Sequence, residues 1–345
     1  MRVFVYEYVC GGGLAGQPLP ESLRQQGWAM LRAAVDDLAR CPGVEVTTLI
    51  DSRWGMIAEE SEGVRVDFVD PGEEPALYRE RTGEADFTLV IAPEFDDLLY
   101  ERCLWTEEAG GQLLGPSRWA VRSTGDKRWL GDLWRGTRVP TPAFYVRCPH
   151  QRTGIRFPVV WKPRHGAGSR GIFVAHTLAE LVDRYPRSSK AVKDELVIQP
   201  FVSGLPVSVS VMIGDSGCLA LPAAAQHLSN DGRLGYLGGR LPLSDDMNDR
   251  AQKLALQAVA PVDDLLGYVG VDLILGHAPD GSEDVAIEIN PRLTTSYVGL
   301  RELAEFNLAE TMLALVLGRT LPERRYREGV VEWSADGTVW QRDVQ

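Results

Sequence analysis

Two glycine runs share one spacing in opposite surroundings, and that contrast limits the fold more than any other feature. Gly11, Gly13 and Gly16 in "VYEYVCGGGLAG" and Gly166, Gly168 and Gly171 in "KPRHGAGSRGIFVA" each spell G-x-G-x-x-G. Glycine fills 35 of 345 positions, so the spacing alone discriminates little. A dinucleotide site needs the third glycine inside the opening helix, whose N-terminus faces the pyrophosphate. Pro18 and Pro20 follow the first run at once, so no helix is already running at Gly16. Asp51, the acid ending the second strand, lies well beyond the ~20-residue offset of that fingerprint. The second run has strands on both sides. Neither run opens a Rossmann domain. The first reads as a loop above a parallel strand end, either lining a substrate cleft or only turning the chain. The second reads as a hairpin flap whose N–H groups can fold over phosphates.

The flanking segments divide the chain. "RVFVYEYV", "VEVTTLID" and "DFTLVIAPE" read as strands. Between the first two, residues 21–40 place Leu23, Trp28, Leu31, Ala34, Val35 and Leu38 at near-helical spacing. Such alternation implies a parallel sheet over residues 1–115. From about 140, "FPVVWKP", "GIFVA", "ELVIQPFV", "PVSVSVMIG" and "GCLALPAAAQ" are strands joined by short turns, an antiparallel pattern. "DDMNDRAQKLALQAVAPVDDLLG" reads as mostly helical despite Pro261, and "YVGVDLILG" with "DVAIEINP" as a hairpin. "LRELAEFNLAETMLALVLG" reads as one amphipathic helix. The tail "VVEWSADGTVW" turns at a D-G pair into a small hairpin.

Composition excludes several classes. With 44% hydrophobic and 24% charged residues the chain reads as an ordinary soluble globular protein. A net charge of −12 argues against a nucleic-acid partner, since phosphate-backbone affinity needs a basic surface. No stretch reaches the ~18 apolar residues of a membrane helix. The N-terminus runs into a strand without a basic leader. Cys10, Cys41, Cys103, Cys148 and Cys218 form no C-x-x-C pair and are odd in number, so reduced thiols and a cytoplasmic location are expected.

The chemistry concentrates near the end of the second half. Asp272 falls on one strand of the expected hairpin, and Glu288 and Asn290 on the other. Residues two apart on a strand share a face, so Glu288 and Asn290 project together. A carboxylate in an otherwise apolar segment needs a cation or hydrogen-bond partners. Oxygen donors of this kind suit Mg²⁺ completed by substrate phosphates; a salt bridge to Arg292 is the plainer alternative. Lys162, just before the flap, can set an ammonium group against phosphates.

In this order the motifs resemble the ATP-grasp superfamily over about residues 85–318. "TGDKRWL" resembles its early lysine motif, "VVWKPRHGAGSRGIFV" its lysine strand and flap, "ELVIQPFVSG" its adenine hinge, and "GVDLIL…AIEINPR" its metal strands. The resemblance implies an α/β (α+β) ATP-grasp fold behind a parallel-sheet pre-ATP-grasp domain over 1–115. The ATP-grasp domain would cover 116–318, with a lid at about 140–203, and a tail with a small hairpin 319–345. It implies that Lys127 and Lys162 contact ATP phosphates, that Gly166, Gly168, Ser169 and Gly171 form the flap, and that Gln199, Pro200 and Val202 meet the adenine. Asp272, Glu288 and Asn290 would hold magnesium, or manganese in its place. Lys162 and Arg292 would stabilise the oxyanion and the departing phosphate.

Two positions depart from the family pattern. Pro206 stands where many members carry a ribose-binding glutamate, with Ser208 or Ser210 as substitutes. Gly270 stands where several ligases carry an arginine, a role that then falls to Arg292. "EYVCGGGL", "APEFDDLL", "AAAQHLSNDGRLGYLGGRLPL" and "EINPRLTTSYVGL" look most like the tyramine–L-glutamate ligase group of methanofuran-type cofactor synthesis. That likeness places substrate at Glu7, Gly11, Gly12, Gly13, Gln226, Gly238, Gly239 and Thr295. Glu7 would pair with an ammonium group, and a bulky side chain at Gly12 would obstruct substrate. The expected activity is ATP-dependent joining of a carboxylate to an amine through an acyl phosphate, with small-molecule partners and no membrane. The alternative is a small-molecule kinase, or a ligase with a different amino-acid substrate, and a homodimer is left open.

Overall fold

In the computed structural model the described residues are 1–54, 63–144, 155–166, 171–184 and 196–342, so Gly168, Ser169 and Cys148 lie outside them. The first third contains β1 (Arg2–Glu7), α1 (Glu21–Ala39), β2 (Glu45–Asp51), β3 (Val64–Val69), α2 (Glu74–Glu84), β4 (Phe87–Ile91) and α3 (Leu98–Glu108). The strands form a parallel sheet in the order β3-β2-β1-β4. Central β1 is buried from Val3 through Glu7. Val3 and Val5 pack with Leu31 and Leu38 of α1, whereas Phe4 and Tyr6 pack with Tyr78 of α2. Alternate side chains thus enter two cores, which is why the strand reads as a continuous apolar run. Edge strand β3 escapes the sequence reading because "VRVDFV" interleaves Arg65 and Asp67 with its apolar residues.

Two helices, α4 (Arg118–Gly125) and α5 (Lys127–Gly136), lead to a small antiparallel sheet. It comprises β5 (Val159–Pro163), β6 (Phe173–Ala175) and β7 (Leu196–Pro200) in the order β6-β5-β7, with α6 (Leu178–Arg184) between β6 and β7 in sequence. Val159, Trp161, Phe173, Ala175, Leu181 and Ile198 give this lid a core of its own.

The rest builds an eight-stranded sheet: β8 (Leu205–Gly214), β9 (Gly217–Ala220), β10 (Ala224–Leu228), β11 (Tyr236–Leu241), β12 (Gly267–Leu275), β13 (Val285–Asn290), β14 (Val330–Ser334) and β15 (Val339–Arg342). Its order is β13-β12-β8-β10-β11-β14-β15, with β9 on the other part of β8. The terminal hairpin is therefore part of this sheet, through β11–β14 pairing. Helices α7 (Asp245–Val259), α8 (Ser296–Leu303) and α9 (Leu308–Val316) cover it.

Three local expectations are corrected. The single helix expected over 300–318 is two, because the Asn307 side chain caps the backbone N–H groups of Ala309 and Glu310 and starts a new helix. "GCLALPAAAQ" is two strands, separated at Leu221–Ala223 by a stretch containing Pro222. Helix α7 stops at Val259, short of Pro261. One large core joins the N-terminal sheet to the central one, with Val3, Val5 and Leu38 in the same cluster as Tyr268, Leu300 and Trp333. Buried Asp37 of α1 pins the two together: it accepts hydrogen bonds from Tyr297 Oη at 2.8 Å and from Arg301 at 2.8 and 3.2 Å. Among the described residues no helix is long and apolar enough to cross a membrane.

Candidate active site

The register of three adjacent strands sets the acidic centre. Asp272 on β12 lies opposite Glu288 on β13 and opposite Ser208 on β8. Residues directly opposite in an antiparallel pair share a face, so the three side chains form a row across the sheet. Asp272 Oδ1 accepts Gln226 Nε2 at 2.9 Å, and its Oδ2 accepts Asn290 Nδ2 at 3.0 Å. Burial and then the charge of Glu288 push the Asp272 carboxyl well above the usual carboxylate range. Burial pushes Glu288 up too, but Lys127 and Lys162 outweigh it and hold it below its ordinary value. Lys127 Nζ sits 3.6 Å from Glu288 Oε2 and donates to the Gly166 carbonyl at 2.7 Å. Lys162 is buried at the end of the lid strand, and desolvation lowers its ammonium to about 8 although Glu288 and Asp272 oppose that.

One cavity runs over this centre. At one end Val160, Ile172, Pro200, Phe201, Val202 and Ile274 make an apolar slot between lid and sheet. At the other it reaches Lys162, Gln226, Asp272, Glu288, Asn290 and Arg292, with Thr295 beyond them. The apolar slot suits a flat heteroaromatic ring, and the far end has the charges for a phosphate chain with a cation. Two carboxylates repelling each other across a strand pair are what a divalent ion would relieve. Among the described residues no group of three His, Cys, Asp or Glu could hold a metal. Asp272, Glu288 and the Asn290 amide offer two carboxylates and one neutral oxygen, a donor set that suits a hard cation completed by phosphate oxygens.

A second cavity of about 500 Å³ adjoins the first and shares Gln26, Met30, Tyr236 and Arg292 with it. Its N-terminal wall carries Glu7, Leu23 and Phe95; its opposite wall carries Leu237 and residues Ser334, Ala335 and Asp336 of the β14–β15 turn. Arg292 stands between the cavities and is gripped by Glu94, with Nε 3.0 Å from Oε1 and Nη2 3.1 Å from Oε2. Glu7 is only 3% exposed, and its Oε2 accepts the Cys10 N–H at 2.8 Å. Burial raises its carboxyl to about 7, with bonds from Cys10 and Val9 and the charge of Arg292 acting against that rise.

The sequence-predicted residues thus divide. Lys162, Gln199, Pro200, Val202, Gln226, Asp272, Glu288, Asn290, Arg292 and Thr295 line the first cavity, and Glu7 the second. Lys127 and Gly166 sit behind Glu288, tied to each other, while Gly171 packs against Pro163. Gly11, Gly12 and Gly13 line neither cavity. They close the turn after β1, and a Cβ on each would strike Tyr6, Val69 or Tyr8 at 2.7, 2.6 and 2.3 Å. Gly12 also has φ +94°, so a side chain there would strain the turn rather than obstruct substrate. Gly238 and Gly239 likewise face Trp333 of β14, not a cavity. Of the two serines, Ser208 lines the first cavity whereas Ser210 is bonded to Tyr268. Glu94 was missed; its place at the end of a parallel strand, where α/β sheets gather their sites, was the available signal.

Comparison with known proteins agrees with this geometry. Residues 124–296, half of the 345-residue chain, match the family model described as ATP-grasp domain, and residues 44–121 match the pre ATP-grasp 3 domain. Tyramine–L-glutamate ligase of Methanocaldococcus fervens is 24% identical over 314 residues, 90% of this chain and 92% of that one. The Methanocaldococcus jannaschii protein of the same name is 27% identical over 216 residues, 63% of this chain and 58% of the relative. Among solved structures, an ATP-grasp superfamily protein from Archaeoglobus fulgidus has a TM-score of 0.71 at 26% identity, covering 96% of this chain and 92% of that one. An L-amino acid ligase from Bacillus licheniformis shares the fold with a TM-score of 0.68 at 15% identity, over 96% and 78% of the two chains. A lid sheet, an apolar hinge slot and a paired-carboxylate floor, in a chain half covered by that model, place the protein in the ATP-grasp family.

Proposed function

We propose that this protein is an ATP-dependent, ADP-forming carboxylate–amine ligase, joining an amino acid such as glutamate to an amine such as tyramine through an acyl phosphate. The observation that carries the reading is the pair of adjoining cavities with Arg292 between them. One suits a nucleotide; the other has room for a small-molecule acceptor. The names of the relatives favour glutamate and tyramine as first substrates to test.

In this reading the Gln199–Val202 segment and the apolar slot hold adenine, and Ser208 stands where a ribose hydroxyl can be met. Lys162 and Lys127 neutralise phosphate charge, the first from the lid strand and the second from behind Glu288; Gly166 and Gly171 bound the segment that the family resemblance assigns to the phosphates. Magnesium held by Asp272, Glu288 and Asn290 would offset the phosphate charge that otherwise repels an attacking carboxylate. Arg292, fixed by Glu94, faces the transferring group and stabilises the oxyanion formed when amine attacks the acyl carbon. A part-buried guanidinium held by an ion pair and one hydrogen bond from Nη2 to Glu94 needs little reorganisation when that charge develops. Gln226 and Thr295 border the same end and orient the carboxylate substrate.

The test is phosphate release from ATP-Mg with glutamate and a panel of amines, with product masses read in parallel. Amine-dependent release with an amide mass is expected. A phosphorylated product formed without amine would replace the reading by a kinase.

A further inference from the structure

The two cavities give different roles to the acidic groups near Arg292. An amine at neutral pH is mostly ammonium and carries no lone pair for attack. It must lose a proton at the second cavity, on the side from which it approaches Arg292. The carboxylates on that cavity's walls are Glu7 and Asp336. Asp336 belongs to the hairpin turn, accepting the Thr338 N–H at 2.9 Å and the Ser334 hydroxyl, and those bonds lower its proton affinity. Glu94 is engaged in its ion pair with Arg292, its Oε2 accepting Nη2 at 3.1 Å. Tyr236, which also borders both cavities, is raised by burial to about 12 and is no acceptor at neutral pH.

Glu7 differs from all three. It ends the central parallel strand, and its carboxylate is wedged against α1, where a Cβ on Gly27 would come within 2.6 Å of Oε2. The Cys10 N–H holds the group from below, and Arg292 faces it across the cavity. We propose that Glu7 is the general base of the second half-reaction, taking the proton from the amine as it attacks the acyl phosphate. The N–C bond forms, the C–O bond to phosphate breaks, and phosphate leaves with that electron pair. Glu7 takes the ammonium proton as the nitrogen closes on the acyl carbon and passes it to solvent, and the second proton that nitrogen sheds on becoming an amide leaves on the departing phosphate. The surroundings of Glu7 suit a proton acceptor. Burial raises its carboxyl to about 7, the Cys10 thiol is itself pushed up and stays neutral, and Arg292 keeps the Glu7 value from rising further. A base is most effective when its proton affinity lies near the working pH.

This rests on the ligase reading, and one experiment separates the two. Hydroxylamine is largely unprotonated at neutral pH and needs no base, whereas tyramine does. Wild-type protein and Glu7→Gln are given ATP-Mg and L-glutamate with each nucleophile, and hydroxamate and amide are measured from pH 6 to 9. Gln keeps an oxygen for the Cys10 N–H. The expected result is a loss of about 10²-fold or more in tyramine ligation with hydroxamate formation within a few-fold of wild type. The wild-type rise in tyramine ligation near pH 7 should also vanish in the variant. Equal loss with both nucleophiles would make Glu7 a prop for the turn and overturn the proposal, as would undiminished tyramine ligation. Wild-type protein that forms neither product would overturn the ligase reading itself, and the base with it.

Discussion

The N-terminal sheet and the lid sheet face the same site from two sides, yet they are held in different ways. The first shares a continuous core with the central sheet, and Asp37 pins α1 to α8 through Tyr297 and Arg301. The second has a small apolar cluster of its own, six residues among those described. Polar ties hold it to the body: Arg164 Nε donates to Asp126 Oδ1 at 2.7 Å, the Lys127 N–H to the Arg164 carbonyl at 3.1 Å, and Lys127 Nζ to Gly166. A shared apolar core resists relative movement because every displacement opens cavities. A polar seam of a few bonds can exchange for water at little net cost. The N-terminal side is therefore the more rigidly built of the two, and the lid sheet the more weakly held.

The sharpest way to strain that contrast is at the floor both sides share. Glu288→Gln should keep the fold and lower turnover by orders of magnitude, because one charge is lost beneath the phosphates. Steady-state rates at saturating magnesium check it, and near-normal turnover would remove Glu288 from the site. Next come the two anchors. Asp37→Ala leaves Tyr297 and Arg301 without their acceptor in a buried place and should cost about 3–5 kcal/mol. Asp126→Ala, at the part-buried lid seam, loses the Arg164 pair and the cap on the Arg128 and Trp129 N–H groups and should cost about 1–2 kcal/mol. Denaturant titrations of both variants decide the matter, and equal losses would erase the distinction between the two regions.

The pH dependence offers a subtler test. The Glu7 carboxyl rises from its ordinary 4.5 to about 7, so between those values the folded state holds a proton that the unfolded chain releases. The resulting stability is fully present below pH 4.5 and disappears as pH climbs through 7, by about 3 kcal/mol in all. Wild type should lose that increment relative to Glu7→Gln over the window; parallel stability curves would show that Glu7 does not titrate there. The smallest effect is in exchange kinetics. Nucleotide with magnesium should slow amide exchange in β5, β6 and β7 and leave β1–β4 unchanged. Equal slowing in both sheets would mean that the regions move as one.

Much of this arrangement was legible because it is written in short-range patterns. The strand–loop–strand pattern around Asp272 and Glu288 fixed a hairpin, and period-two alternation put Glu288 and Asn290 on one face. The hinge and lysine strand lie within runs whose alternation and turns are equally local. What escaped depends on partners far along the chain. Glu94 meets Arg292 across 198 residues, and no pattern in "APEFDDLL" marks that pairing. Gly12 meets Val69, and Gly238 meets Trp333, so close packing rather than ligand approach explains those glycines. The break between α8 and α9 turns on one side chain, Asn307, inside a segment whose apolar periodicity runs on without interruption.

The β14–β15 hairpin lies beyond residue 296, where the family match ends, yet its turn furnishes Ser334, Ala335 and Asp336 to the wall of the second cavity. It joins the sheet at an edge, next to β11, so its outer turn can change in length and sequence without disturbing the strands that carry Asp272 and Glu288. Val331 and Trp333 anchor its first strand in the main core, so the exchangeable part is the turn alone. Relatives could diverge in the acceptor they accept by editing this turn while the nucleotide machinery is inherited unchanged. Grafting a relative's turn onto this chain, and comparing the amine range before and after, reads that modularity directly; an amine range that does not move would show that the wall is only a buttress.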